Sequence, residues 1–171
     1  MRYIKKFNEN KSLLLDLDKL KDFCELHLVY LIDDYFTLEY HWITLPAKYP
    51  PTSLRNSSES EVVILSLKKE TFDDDISFEW SDIENHFISF LKHLNNSYDI
   101  VDQVISWGPI EFLVRKNPTG SAQHISVSLI DILNGNIPGI IKSSQLFRIS
   151  LGISREFSEE ERAIQRIKYM R

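Results

Sequence analysis

A single cysteine, Cys24, in 171 residues excludes an internal disulfide and any multi-cysteine zinc centre, and it points to a reducing compartment. No apolar run reaches the roughly 18 residues that span a bilayer, so no membrane-crossing helix is expected. The amino terminus carries Arg2, Lys5 and Lys6, but Asp16 and Asp18 interrupt the short apolar stretch Leu13-Leu14-Leu15 and no small-residue cleavage site follows. A secretory leader is therefore not expected, and the cytoplasm is the expected location. Glycine is scarce, and Gly120, Gly135, Gly139 and Gly152 do not assemble into a dinucleotide or phosphate-loop pattern. Lysine and arginine are absent from the whole stretch Glu70 to Leu91.

What is present is apolar enough to fold. At 43% hydrophobic and 12% aromatic residues the chain is too apolar for disorder, and its length suits one core, so residues 1–171 are expected to form a single domain. The formal net charge of -5 makes nucleic acid an unexpected partner, since phosphate tracks need a clustered basic face. The candidates for such a face are Lys68-Lys69, Arg115-Lys116 and a final helix with Arg162, Arg166, Lys168 and Arg171, and a solvated surface accounts for them.

From Asp16 to Ile32, Leu17, Leu20, Phe23, Cys24, Leu28 and Leu31 recur at helical steps and predict one amphipathic helix, stopped by Asp33-Asp34. Phe36 to Leu45 alternates, with Phe36, Leu38, Tyr40 and Trp42 on one side and Thr37, Glu39 and His41 on the other, which predicts a half-buried strand. Residues 45–60 hold Pro46, Pro50 and Pro51 among Ser, Asn and Glu and are expected to form a long exposed loop. Val62 to Leu67 predicts a strand, and Ile76 to Trp80 a further one. Ser81 with Glu84 gives a capping-box signature for a helix from Asp82 to about Leu94, ended by Asn95-Asn96-Ser97. Ile100 to Trp107 and Ile110 to Arg115 suggest two strands joined in a hairpin through Trp107-Gly108-Pro109. Asn117-Pro118-Thr119-Gly120 is a turn, Val127 to Leu133 a short helix closed by Asn134-Gly135, and Phe147 to Ile153 a late strand. Ser158 caps a final helix whose first turn is Glu159-Glu160-Glu161 and whose last turn carries Arg166, Lys168 and Arg171. This order predicts an α+β fold, a mainly antiparallel sheet with helices packed on one face.

Met1-Arg2-Tyr3-Ile4-Lys5-Lys6-Phe7-Asn8-Glu9, Leu20-Lys21-Asp22-Phe23-Cys24-Glu25 and Tyr30-Leu31-Ile32-Asp33-Asp34-Tyr35-Phe36 resemble the openings of uncharacterised small accessory proteins of large tailed bacteriophages. The resemblance covers the first quarter of the chain. It implies a context, an accessory protein in the cytoplasm of an infected bacterium, and it transfers no activity and no functional residue.

The strongest local feature is charge segregation. Glu70, Asp73, Asp74, Asp75, Glu79, Asp82 and Glu84 create a negative field that attracts a basic protein, as an inhibitor or immunity protein would require; the same residues also suit a solvated loop and the start of a helix. The aspartate triplet lacks the spacing and glycine of a calcium loop, so no metal site is assigned. His86 and His93 stand seven apart, too far for a chelating helix pair. His41, beside Glu39, and His124 are the two histidines that acid–base cleavage of a phosphodiester would use. Ser121 lacks a nucleophile-elbow context, and Cys24 lies on an apolar helix face. No residue is assigned a catalytic role and no cofactor is expected. The leading expectation is a non-enzymatic interaction module for a basic protein. The alternatives are a small nucleic-acid-processing enzyme using histidine, and a virion or assembly component.

Overall fold

The computed structural model describes residues 15–46, 59–71, 74–101, 110–117 and 120–169. Helix α1 (Leu17–His27) begins where Asp16 Oδ1 accepts the N–H groups of Asp18 and Lys19, at 3.1 and 3.2 Å, satisfying donors that have no partner inside the helix. The single long helix expected over Asp16 to Ile32 is divided. Leu28 leaves helical geometry (φ -112°, ψ 14°), and α2 (Val29–Ile32) is a separate turn. The break lets Leu28 and Leu31 both enter the core.

Strands β1 (Phe36–Pro46), β2 (Glu59–Thr71) and β3 (Asp74–Ile76) follow. The strand expected at Ile76 to Trp80 is not formed: Phe78 makes one isolated bridge to Leu146, and Trp80 already opens helix α3 (Trp80–Ser97). The cap also differs. Asp82, not Glu84, closes the helix start, with its carboxylate accepting the Glu79 N–H at 2.9 Å, so the box lies two residues earlier than the Ser81 signature suggested. The helix runs on through Asn95-Asn96-Ser97, because Asn95 is buried rather than exposed at a fraying end.

Strand β4 (Tyr98–Ile100) and strand β5 (Ile110–Arg115) both run antiparallel to β7 (Gln145–Glu156). They therefore point the same way along it; the hairpin expected between Ile100–Trp107 and Ile110–Arg115 falls mostly on residues 102–109, including the Trp107-Gly108-Pro109 turn, which lie outside the described residues. So does the middle of the expected 45–60 loop, where β1 instead extends to Pro46 and β2 starts at Glu59. Gly120 N–H meets the Asn117 carbonyl at 2.9 Å, consistent with the expected turn. Strand β6 (Gln123–Val127) leads through Ser128 into α4 (Leu129–Leu133), closed at Gly135 with φ 74°, a value that glycine adopts at little cost. Helix α5 (Gly139–Lys142) follows, a turn the periodicity did not reveal. Helix α6 (Glu159–Tyr169) is capped as expected, with Ser158 Oγ accepting the Glu161 N–H at 3.3 Å and Glu161 accepting the Ser158 N–H at 2.9 Å.

The strands form one antiparallel sheet in the order β1-β2-β7-β5-β6, with β3 beside β2 and β4 beside β7. The α+β architecture is as expected. Register sets the two faces apart. Leu38, Leu67, Ile149, Phe112 and Ile125 form one row across the sheet, and this face joins the buried residues of α1, α2, α3, α4 and α5 in one core. Trp80 packs edge-on against Phe112, with ring centroids 5.8 Å apart, pinning α3 to β5. The neighbouring row on the other face is Glu39, Ser66, Ser150, Glu111 and Ser126. No helix among the described residues is long and apolar enough to cross a membrane.

Candidate functional site

Among the described residues polar side chains gather at the end of the molecule where α2 meets β1 and on the polar face of the sheet, besides the ion pairs around Arg155.

At the first, α1 and α2 run antiparallel to α3, which the ring contacts establish: His27 stacks on His93 with centroids 4.6 Å apart, and Tyr30 meets His86 at 5.5 Å. His86 and His93 are thus taken up by separate aromatic partners. Burial, and then the neighbouring His93, push the His27 pKa below its ordinary value. The antiparallel run brings Asp33 and Asp34 towards the amino end of α3, where Glu79 and Asp82 are exposed. Asp34 pairs with Lys69 at 3.0 Å, and the Glu70 N–H donates to the Tyr35 carbonyl at 3.1 Å, closing the turn onto β2. Among the described side chains this end therefore carries five carboxylates, Asp33, Asp34, Glu70, Glu79 and Asp82, against Lys68 and Lys69.

The acidic segment is thus divided by the fold. Glu70 pairs with Lys68, which also holds Glu39 at 2.7 Å, and that ammonium keeps the Glu39 pKa below the ordinary carboxylate value. Glu79 accepts from Ser81 Oγ at 3.4 Å, and Asp82 is occupied in the helix cap. Glu84 is half-buried on α3. The backbone of Asp74 and Asp75 pairs with Thr71 and Glu70 in β3, and Asp73 lies outside the described residues.

Tyr35 is what the sequence reading missed. It is the non-glycine residue with positive φ among the described residues, at 64°, and it is 63% exposed. A tyrosine held in the left-handed region costs about 1–2 kcal/mol. Its signal in the sequence is position: it follows the Asp33-Asp34 helix stop, where a chain leaving a helix commonly takes that conformation with glycine or asparagine. Tyr30, 70% exposed, and Leu26 lie on the preceding turns.

On the sheet face, His124 Nδ1 meets Glu111 Oε1. Glu111 is buried, its side chain only 4% exposed, while that of His124 is 49% exposed. The second oxygen, Glu111 Oε2, is buried with no hydrogen-bond partner. Beside it in the row, Ser150 and Ser66 share a hydrogen bond of 2.8 Å. The two histidines considered for acid–base work share this face but stand at opposite edges. His41 is on β1 and His124 on β6, four strand spacings of about 4.8 Å apart, so they do not act on one atom together. His41 lies 3.7 Å from Glu39 instead.

No protein-family model matches the chain, and no characterised protein or solved structure matches it at a significant level.

Proposed function

We propose that this protein is a non-enzymatic interaction module that binds a basic protein through its acidic end, as an inhibitor or immunity protein of a phage or bacterial accessory system in the bacterial cytoplasm. The observation that carries the reading is Tyr35, held exposed in a left-handed conformation directly after Asp33 and Asp34. An L-residue is kept in such a state only where the surroundings over-determine it, and strained residues of this kind collect at binding sites. Tyrosine supplies a large, amphipathic contact surface with little rotamer entropy to lose, which is why it recurs at interface hot spots. Carboxylates in excess around it speed encounter with a basic partner and disfavour nucleic acid.

Capture on immobilised protein at low and high ionic strength tests the reading. The expected result is one basic partner, released by salt and lost when Asp73, Asp74 and Asp75 are changed together to Asn. An activity abolished by replacing His124 or His41 in a protein that still folds would favour a histidine-based nucleic-acid-processing enzyme instead.

A further inference from the structure

We propose that the outer edge of β1 is a self-association surface, on which a second copy of this chain pairs antiparallel about a two-fold axis at Tyr40 and carries the sheet across two molecules. β1 ends the sheet order, and among the described residues no strand pairs with its outer side. The opposite edge strand, β6, has only 5 residues and carries exposed Gln123, His124 and Ser126. β1 has 11 residues, pairs with β2 without a bulge, and holds no lysine, arginine or proline from Phe36 to Leu45. Short length, bulges, lysine and proline are the devices that keep a sheet edge from pairing, and β1 uses none of them over that stretch. It also leaves Trp42 45% exposed.

The hydrogen-bond pattern fixes which residues face outwards. The Glu70 N–H donates to the Tyr35 carbonyl, one step beyond the partners Phe36 and Lys69. Antiparallel ladders bond alternate residues to each side. Thr37, Glu39, His41 and Ile43 therefore bond to β2, while the N–H and C=O groups of Phe36, Leu38, Tyr40, Trp42 and Thr44 face away from it. Tyr40 is the middle of that outward set. A two-fold axis there sets Tyr40 against Tyr40 of the partner subunit, Leu38 against the partner's Trp42 and Phe36 against the partner's Thr44. Every outward group then finds a partner, and the axis closes the pairing at two chains. The same register sets Glu39 opposite the partner's His41, in the pairs where antiparallel side chains come closest. Lys68 holds Glu39 Oε1 at 2.7 Å, whereas Oε2 lies 3.7 Å from His41 of its own chain, beyond a normal hydrogen bond. That oxygen is placed to accept an N–H from the opposing imidazole, which carries one in either protonation state. Re-centring the pairing on Glu39 or His41 sets that residue against its own copy and loses both contacts, so charge selects the centre at Tyr40.

The test is sedimentation of the full-length protein at concentrations up to about 100 μM, with circular dichroism and thermal unfolding to establish that each variant folds. The expected result is the mass of two chains, falling to that of one on dilution. Trp42→Pro removes an outward N–H and none that bonds to β2, the one kind of strand position where proline is tolerated. It is expected to keep the fold and to weaken the dimer by about tenfold or more, since the axis repeats the loss on both chains. Should Trp42→Pro fail to fold, His41→Glu leaves the backbone intact and sets like charges against each other on both sides of the axis, with a similar weakening expected. A single-chain mass at every concentration, a mass that climbs beyond two chains, or an undiminished dimer in a folded variant overturns the proposal.

Discussion

Glu161 forks across the guanidinium of Arg155, its two oxygens 2.7 and 3.0 Å from the terminal nitrogens, and so ties α6 to the strand at the centre of the sheet. Arg155 is buried, and Asp99 on β4 approaches the same guanidinium at 3.9 Å. The consecutive β7 and α6 and the sequence-distant β4 meet on one cation, with Ser158 N–H adding a further donor to Glu161.

Glu161→Gln is expected to cost about 1–2 kcal/mol, a figure kept low because the Glu161 side chain remains 38% exposed. The Arg155 guanidinium holds the Glu161 pKa down at about 2, against an ordinary value of 4.5. A group depressed in the folded state stabilises fully above its unfolded pKa and loses that contribution as pH falls from about 4.5 to about 2. Chemical denaturation across that window should therefore show a steeper loss of stability in the native protein than in the variant. Parallel curves would mean that the pair contributes nothing.

The Ser66–Ser150 pair offers a cleaner measurement, since both hydroxyls are buried and face each other across two strands. Removing one leaves the other without its partner, and Ser66→Ala should cost about 1–2 kcal/mol. Removing both leaves no orphan, so the double alanine variant should recover part of that loss. Additive losses in the double-mutant cycle would show that the hydroxyls are not coupled.

Cys24 should be inert in the folded protein. Burial pushes its thiol up to about 12. Thiol-specific labelling near neutral pH should then proceed only through unfolding, at a rate that rises with denaturant. Rapid stoichiometric labelling of the native protein would place the thiol at the surface.

Much of the fold was legible because burial and periodicity agree. Phe36, Leu38 and Tyr40 share the core side of β1 as alternation predicts, and Leu20 and Cys24 form the buried stripe of α1. The failures occurred where a local signal competed with tertiary pairing. Ile76 to Trp80 has strand composition, yet Trp80 is drawn into α3 because its ring packs on Phe112 and Phe87. The pairing of Tyr98 to Ile100 and of Ile110 to Arg115 with the long β7 is likewise a long-range contact that no local pattern announces. The acidic segment was visible as composition, but its division between cap, ion pair and turn depends on Lys68 and on the backbone around Glu79. Tyr35 and Glu111 were hidden for a different reason: each is one ordinary residue whose meaning comes from a dihedral angle or from a partner across the sheet.

The central claim, that the acidic end around Tyr35 is a binding surface, is tested most directly by the affinity of a captured, purified basic partner for native protein and for Tyr35→Gly. Glycine adopts φ 64° without strain, so the variant should fold at least as stably by thermal denaturation. The account predicts that it binds at least about tenfold more weakly, a typical loss for an interface tyrosine. Unchanged affinity in the well-folded variant would contradict it.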